Sequence, residues 1–130
     1  MSESADIAVV RRMYDSKLDP AVLQEVIHPE IVWDVTPGFP GGGVYHGFDS
    51  VGRDFFGPFL DRFDAFFPVG EQYYADDEDH VFALGHYHAV TKEGETADVR
   101  FIHLWTVRDG QLTELRQVAD TLVLDQTLNG

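Results

Sequence analysis

The stretch Phe101-Ile102-His103-Leu104-Trp105-Thr106-Val107-Arg108-Asp109-Gly110 carries the clearest structural signal in the chain. The residues before Asp109 are largely aromatic or β-branched, which favours a strand. Asp109-Gly110 is a dipeptide typical of a tight hairpin turn. The run 111–123 that follows is again β-rich. We therefore predict two antiparallel strands, 96–108 and 111–123, joined at this turn.

Two more β-rich runs precede this hairpin, at 70–75 and 81–91. The acidic cluster Asp76-Asp77-Glu78-Asp79 and the pair Glu93-Gly94 separate the runs, and both are turn-forming sequences. The second half of the chain therefore predicts four strands in an antiparallel meander.

The first half of the chain has helical rather than strand periodicity. Apolar residues recur at helical spacing over 5–18, which predicts a first helix. A second helix is predicted from Pro20 to Ile27, because Asp19-Pro20 is a typical start and the residue before a proline, here His28, disfavours helical geometry. A third helix, kinked at Gly57-Pro58, is predicted at about 51–66.

Between the second and third helices the pattern is less regular. Residues 31–35 form a short β-favouring run, and the glycine- and proline-rich segment 36–47 predicts a loop or a ragged edge hairpin. Helices followed by a long antiparallel sheet indicate an α+β domain in which helices cover one face of a curved sheet. A strongly twisted sheet covered in this way tends to leave a pocket.

Composition limits the function. The 130 residues predict a single domain, 1–130. Nine Lys and Arg against 23 Asp and Glu give a net charge of −14, which argues against nucleic acids and anionic lipid surfaces as partners. The chain has no cysteine, no run apolar enough to span a membrane and no secretory leader pattern, so we expect a cytoplasmic protein. Its chemistry must come from carboxylates, histidines, tyrosines and hydroxyls.

Several segments together resemble a known family. They are the helix with Tyr14, the strand Val32-Trp33-Asp34, the segment from Pro37 to Gly47 before a phenylalanine-rich helix, the stretch 101–110, and Val118-Ala119-Asp120-Thr121. Over essentially its whole length the chain resembles the SnoaL-like and ketosteroid-isomerase-like branch of the nuclear transport factor two-like superfamily. The resemblance implies a cone-shaped, curved antiparallel or mixed sheet around an apolar pocket, with three helices on the concave face. It also implies a homodimer formed through the outer sheet face.

The resemblance also implies candidate catalytic residues. Asp34 matches the proton-abstracting carboxylate of ketosteroid isomerase, and Tyr14 matches its oxyanion-binding tyrosine. His103 stands where that enzyme has a protonated aspartic acid, which argues against ketosteroid isomerisation itself. In SnoaL-type polyketide cyclases the acid/base aspartate lies in the last strand, and Asp120 matches it here. Asp34 and Asp120 are therefore rival bases. Asp34 is also an ordinary residue for a strand end that bonds the glycine-rich loop, and the alternative for Asp120 is to cap the turn into the C-terminal tail or to pair with Arg116.

Histidines are the other unusual feature. His86 and His88 share one face of a strand, and in the register that the resemblance implies this is the concave face, shared with Phe101, His103 and Trp105. Converging imidazoles suit acid/base chemistry or substrate orientation, and they are also a conceivable ligand set for zinc or iron. The alternative for each histidine is a structural hydrogen bond or a position on the dimer face. We expect no metal and no cofactor, since no specific metal-binding or phosphate-binding motif is present.

The pocket is expected to be walled by Trp33, Trp105, Phe59 and Phe101, with Gln117 as a polar candidate. Strand alternation allows only one of Gln117 and Asp120 to face inward. The leading hypothesis is a cofactor-independent acid/base enzyme, an isomerase, cyclase, dehydratase or hydrolase, acting on an apolar, oxygenated molecule of polyketide, steroid or terpenoid type. The alternatives are a non-catalytic ligand-binding or dimeric interaction module of the same fold, and a metal-dependent enzyme that uses the histidines.

Overall fold

The computed structural model describes residues 4–76 and 78–129, so Asp77 of the predicted acidic turn lies outside the described residues. The helical elements are α1 (Ala5–Asp15), α2 (Pro20–Val26), α3 (Phe48–Ser50), a π-helical segment (Val51–Phe56), α4 (Gly57–Leu60) and α5 (Thr121–Asn129). The strands are β1 (Ile27–Val35), β2 (Gly43–His46), β3 (Phe63–Ala75), β4 (His80–Thr91), β5 (Thr96–Arg108) and β6 (Gln111–Ala119).

The six strands form one mixed, curved sheet in the order β2-β1-β6-β5-β4-β3. β1 runs parallel to β6, and the other neighbouring strands are antiparallel. The four C-terminal strands form the predicted meander, and the predicted ragged hairpin after β1 contains β2. The α+β class and the sheet wrapped against helices are thus confirmed.

The N-terminal helices begin where the sequence predicts. The hydroxyl of Ser4 accepts a hydrogen bond from the backbone N–H of Ile7 at 3.1 Å and caps α1. The predicted helix to residue 18 ends early, at Asp15, because Lys17 and Leu18 adopt left-handed backbone angles, with φ of 53° and 65°. On its inner side α1 buries Val10, Met13 and Tyr14 against the sheet.

Two further predicted boundaries are wrong. The third helical region ends at Leu60 rather than at 66, and Phe63 already pairs with Thr91 as the first residue of β3. The phenylalanines continue a helical spacing across this boundary, but aromatic residues fit a pleated surface equally well. The last predicted strand, 111–123, ends at Ala119, because the chain turns into α5 at Asp120.

The inner face of the sheet is crowded with rings, and small residues on β4 make room for them. Gly85 lies opposite Phe101 on β5. A Cβ atom at Gly85 would lie 2.0 Å from the carbonyl oxygen of Val69 and 3.0 Å from the ring of Phe101. Glycine is therefore required at this position by close approach of backbone and ring.

We expect Gly85→Ala to lower the free energy of unfolding by about 1–3 kcal/mol, the usual cost of overpacking a core. The measurement is urea unfolding at equilibrium. Gly52→Ala is the matched control, since a Cβ there meets nothing within 4 Å. Equal stability of the two variants would contradict the packing argument.

Candidate functional site

Five buried side chains are joined by hydrogen bonds on the concave side of the sheet. We call this set the buried polar chain: Trp105, Tyr14, His103, Tyr87 and Gln117. The indole N–H of Trp105 donates to the Tyr14 hydroxyl at 2.8 Å, and that hydroxyl lies 2.5 Å from Nδ1 of His103. On the other side of the imidazole, Nε2 lies 2.6 Å from the Tyr87 hydroxyl, which accepts from Nε2 of Gln117 at 2.9 Å.

Four elements contribute to the buried polar chain. Tyr14 comes from α1, Tyr87 from β4, His103 and Trp105 from β5, and Gln117 from β6. His103 and Gln117 are direct cross-strand partners, and strand alternation places Trp105 on the same face as His103. The imidazole also stacks on Phe101, with ring centroids 3.8 Å apart and planes inclined by 8°. The ring of His103 is therefore held by both its edge and its face.

Burial keeps the buried polar chain uncharged. His103 is 3% exposed, and loss of hydration lowers the pKa of its imidazole to about 3, so the ring is neutral at pH 7. Burial likewise raises the pKa of the Tyr14 hydroxyl, against the lowering effect of the hydrogen bond from Trp105. It also raises the pKa of Tyr87, which the hydrogen bond from Gln117 partly offsets. The two phenols thus remain protonated, and the imidazole is a neutral donor and acceptor.

A cavity of about 30 Å³ lies against the buried polar chain. By this measure a water molecule needs about 10–15 Å³, so the space suits one or two waters, and a larger ligand must displace lining side chains. Tyr87, His103, Trp105 and Gln117 supply its polar wall. The remaining lining residues are apolar: Met13, Leu18, Trp33, Val35, Phe39, Phe55, Phe56, Phe66, Pro68 and Leu115. Among the described residues that line it, none carries a carboxylate or a cationic side chain.

The structure brings several predicted site residues together. Tyr14 and His103 are in hydrogen-bond contact, and Trp33, Trp105 and Gln117 line the cavity. Phe101 stacks on the imidazole of His103. Phe59 is buried among Phe39, Phe55, Phe63 and Phe66 and belongs to the aromatic core beside the cavity.

Asp34 does not join this group. Trp33 and Val35 are buried on the inner face of β1, so alternation directs Asp34 to the opposite face, where its neighbours in register are Val44 and Arg116. The expected meeting of Asp34 with Tyr14 and His103 is therefore wrong. Trp33, rather than Asp34, occupies the inner face because burying an unpaired carboxylate costs far more free energy than burying an indole.

Asp120 is a helix cap. Its carboxylate accepts a hydrogen bond from the backbone N–H of Val123 at 3.1 Å, and its carbonyl oxygen accepts from Leu124 at 3.3 Å. The side chain is exposed, whereas Gln117 is 4% exposed and faces inward. Of the two rival residues on this segment, Gln117 is the one that lines the cavity.

His86 and His88 lie on the outer face of β4, contrary to the expected register. Nδ1 of His86 is 2.6 Å from a carboxylate oxygen of Glu71, and Nδ1 of His88 is 3.3 Å from one of Asp98. The three imidazoles therefore do not converge, because His103 faces the other side of the sheet. Across the described part of the chain, no three His, Cys, Asp or Glu side chains are placed to hold a metal ion.

Tyr87 is the member of the candidate site that sequence reasoning missed. It lies between His86 and His88, and choosing the histidines for the inner face excluded it. A signal was present in the alternation Val81, Ala83, Gly85, Tyr87, Ala89, all of which are buried. Small residues on that face leave room for the rings of Phe101 and His103 on the adjacent strand.

Comparison with known proteins places the chain in a family. The sequence matches the SnoaL-like domain over residues 10–115, and the protein belongs to this family. No curated protein matches the chain. Within the described residues, no helix is both long and apolar enough to cross a membrane.

Solved structures share the fold along the whole chain. An NTF2-like protein from Burkholderia thailandensis E264 is 26% identical, with a TM-score of 0.85 over 98% of this chain and 100% of the other. TerC, co-crystallised with polyporic acid, is 21% identical, with a TM-score of 0.87 over 98% and 100%. A candidate SnoaL-like polyketide cyclase from Jannaschia sp. CCS1 is 19% identical, with a TM-score of 0.80 over 100% and 98%.

The lowered pKa of His103 gives stability a defined pH dependence. Below about pH 6.5 the unfolded chain takes up a proton on this residue, while the folded protein stays neutral down to about pH 3. The unfolded state then binds more protons, so stability falls as pH falls through this window, by about 1.4 kcal/mol per pH unit. Between pH 6.5 and pH 5 this contribution amounts to about 2 kcal/mol.

We expect His103→Gln to lack this contribution, so that its stability falls less steeply with acidification than that of wild type. Urea unfolding at pH 7.0 and 5.0 measures the difference. His46→Gln removes an exposed histidine and should retain the wild-type dependence. A His103→Gln protein that loses as much stability as wild type would show that His103 is protonated in the fold.

Proposed function

We propose that this SnoaL-like protein binds a small, largely apolar molecule with a carbonyl or enolate oxygen and acts as a cofactor-independent isomerase or cyclase. The observation that supports this most directly is the position of the buried polar chain, whose neutral donors meet the wall of an apolar cavity. Fused-ring ketones of polyketide, steroid or terpenoid type fit this description.

Neutral hydrogen-bond donors in a dry cavity stabilise an oxygen that gains negative charge during enolisation or ring closure. The donors are held by hydrogen bonds before the substrate arrives, and the apolar lining side chains are the part of the site that moves to admit it. Tyr87 and Gln117 are fixed by bonds to His103 and to the backbone N–H of Thr36, which donates to Oε1 of Gln117 at 3.2 Å. The co-crystallisation of TerC with polyporic acid is consistent with this fold holding a small organic molecule.

A non-catalytic ligand-binding protein is the second candidate, and the composition of the cavity wall favours it. Enolisation needs a proton acceptor. The described lining residues include no carboxylate, and a neutral imidazole with its pKa lowered to about 3 is a weak base. In the catalytic reading, water or a second group of the substrate accepts the proton, and the protein supplies the stabilisation of the oxyanion.

The enzymatic and the ligand-binding candidates can be distinguished with a ketone that has acidic α-protons and a suitable shape. 2-Tetralone is a flat, apolar ketone whose α-protons exchange with D2O through the enolate. For an enzyme we expect the protein to accelerate this exchange, and we expect Gln117→Leu to slow it by about tenfold, since one hydrogen bond in the buried polar chain is lost. Proton NMR follows the exchange directly.

Gln126→Leu is the matched control, because Gln126 is exposed on α5. It should exchange 2-tetralone at the wild-type rate. Saturable binding of 2-tetralone without any acceleration of exchange would instead support the ligand-binding candidate.

We also propose that two copies associate through the outer face of the sheet, as the family resemblance implies. Ile102, Val118 and Phe82 are 45%, 53% and 42% exposed there, and Ile102 pairs in register with both Leu84 and Val118. Leu84, Ile102 and Val118 also border a groove of about 450 Å³ on this face, away from the buried polar chain. Glu71, Gln72 and Arg100 also line the groove. An exposed apolar patch rimmed by polar residues is typical of a subunit interface. A cytoplasmic location remains a prediction from the sequence.

For the dimer we expect Ile102→Asp to shift the protein to a monomer in analytical ultracentrifugation, because a carboxylate at the interface must be desolvated on both copies. Leu122→Asp is the control, since Leu122 is 64% exposed on α5 rather than on the sheet. A wild-type protein that sediments as a monomer would refute the interface.

A further inference from the structure

The two contacts between His103 and the phenols have more protons available than they can use, and counting these protons shows where the excess lies. A neutral imidazole has one N–H and one bare nitrogen. His103 makes contacts with two phenol oxygens, each of which also carries a proton. Three protons are therefore available for two contacts, so one phenol O–H is not used within the buried polar chain.

The outer ends of the chain fix the direction of the remaining bonds. An indole nitrogen only donates, so Tyr14 must accept from Trp105. The backbone N–H of Thr36 donates to the side chain of Gln117, which identifies that atom as the amide oxygen and directs the amide nitrogen toward Tyr87. Both tyrosines thus accept a hydrogen bond from outside before the imidazole is considered.

Two arrangements remain. In the first, Tyr14 donates to Nδ1, the proton of His103 is on Nε2 and is donated to Tyr87, and the Tyr87 O–H is left over. In the second, the proton is on Nδ1 and is donated to Tyr14, Tyr87 donates to Nε2, and the Tyr14 O–H is left over. The arrangements differ in which phenol must find an acceptor elsewhere.

The cavity distinguishes them. Tyr87, His103 and Gln117 line it, and Tyr14 is not among its lining residues. Tyr14 is 3% exposed, and its hydroxyl is already in contact with Trp105 and His103. A surplus proton on Tyr14 would have to be accommodated inside the core, where an unsatisfied donor costs about 1–3 kcal/mol. A surplus proton on Tyr87 can reach water or a ligand.

We propose that His103 carries its proton on Nε2 and that the Tyr87 hydroxyl donates its own proton to the oxygen of the ligand in the cavity. His103 is then a positioning residue, and Tyr87 is the group that touches the ligand. This inference rests on the proposed function for the nature of the ligand. The position of the proton is a property of the free protein.

The arrangement also defines what the cavity selects. The Tyr87 oxygen accepts from both Nε2 of His103 and Gln117, so its two lone pairs are used. It can donate a hydrogen bond but has no lone pair left to accept one. The site therefore selects a ketone, enolate or ether oxygen and discriminates against an amine at the same position, whose N–H would find no acceptor on Tyr87.

The first experiment locates the proton in the free protein. Nitrogen-15 NMR of the histidine rings at pH 7, with His103→Gln used to assign the signal among the six histidines, distinguishes the two ring nitrogens. We expect protonation at Nε2 and a bare Nδ1. A proton on Nδ1, or on both nitrogens, would overturn the proposal.

The second experiment measures the donated bond through a pair of probes, 2-tetralone and tetralin, which share a shape but differ in the oxygen. For Tyr87→Phe we expect the ratio of the two affinities to fall by about 3- to 10-fold, the range for one neutral hydrogen bond. The ratio cancels changes in packing that affect both probes. Ligand-observed NMR titration gives both dissociation constants.

Tyr45→Phe is the matched control, because the Tyr45 hydroxyl donates to the carbonyl of Gly41 at 2.6 Å and Tyr45 is not among the cavity lining. It should keep the wild-type ratio. An unchanged ratio in Tyr87→Phe overturns the assignment of Tyr87 as ligand donor. If neither probe binds the wild-type protein, the proposed function fails, and the protonation of His103 still decides the present proposal.

Discussion

The neutral imidazole of His103 between two phenols is the interaction on which the other features of the site depend. A buried donor or acceptor without a partner costs about 1–3 kcal/mol, so each member of the buried polar chain needs the next one in place. The members come from α1, β4, β5 and β6. A shift of α1, β4 or β5 breaks a bond at His103, and a shift of β6 breaks the bond between Gln117 and Tyr87. The position of the first helix, the strand register and the cavity wall are therefore coupled through one ring.

Periodicity was sufficient to predict the parts of the fold that bury a continuous apolar face. The four-strand meander and both N-terminal helices follow from alternation, helical spacing and capping residues. The inner face of β5, with Phe101, His103 and Trp105, follows instead from the register that the family resemblance implies. Boundaries failed where one residue type serves two structures: Phe63 and Phe66 fit a helix or a strand, and Asp120 both ends a β-rich run and caps α5.

The candidate site was predicted less well, and the errors share a physical cause. Asp34 is expected in the pocket because it matches the carboxylate of ketosteroid isomerase, and His86 and His88 because the register that the resemblance implies turns them inward. In the structure, the residues beside them in sequence, Trp33, Val35 and Tyr87, take the inner face, because a ring or aliphatic group loses less by leaving water than a charge does. His103 is the exception, since two phenols satisfy its nitrogens. No local pattern reveals those partners, because Tyr14 and Tyr87 lie 89 and 16 residues away in sequence.

This segregation of charge bears on how the site can act. The chain has 23 acidic residues, yet the described cavity wall has none, and the carboxylates first considered as bases lie on the outer side of the sheet or at a helix cap. At physiological ionic strength, exposed charges are screened beyond about 8 Å. The potential that a bound oxygen experiences is thus governed by the nearby donors rather than by the net charge of −14. A neutral chain of donors can stabilise a developing oxyanion inside a strongly acidic protein, provided that its protons point toward the cavity.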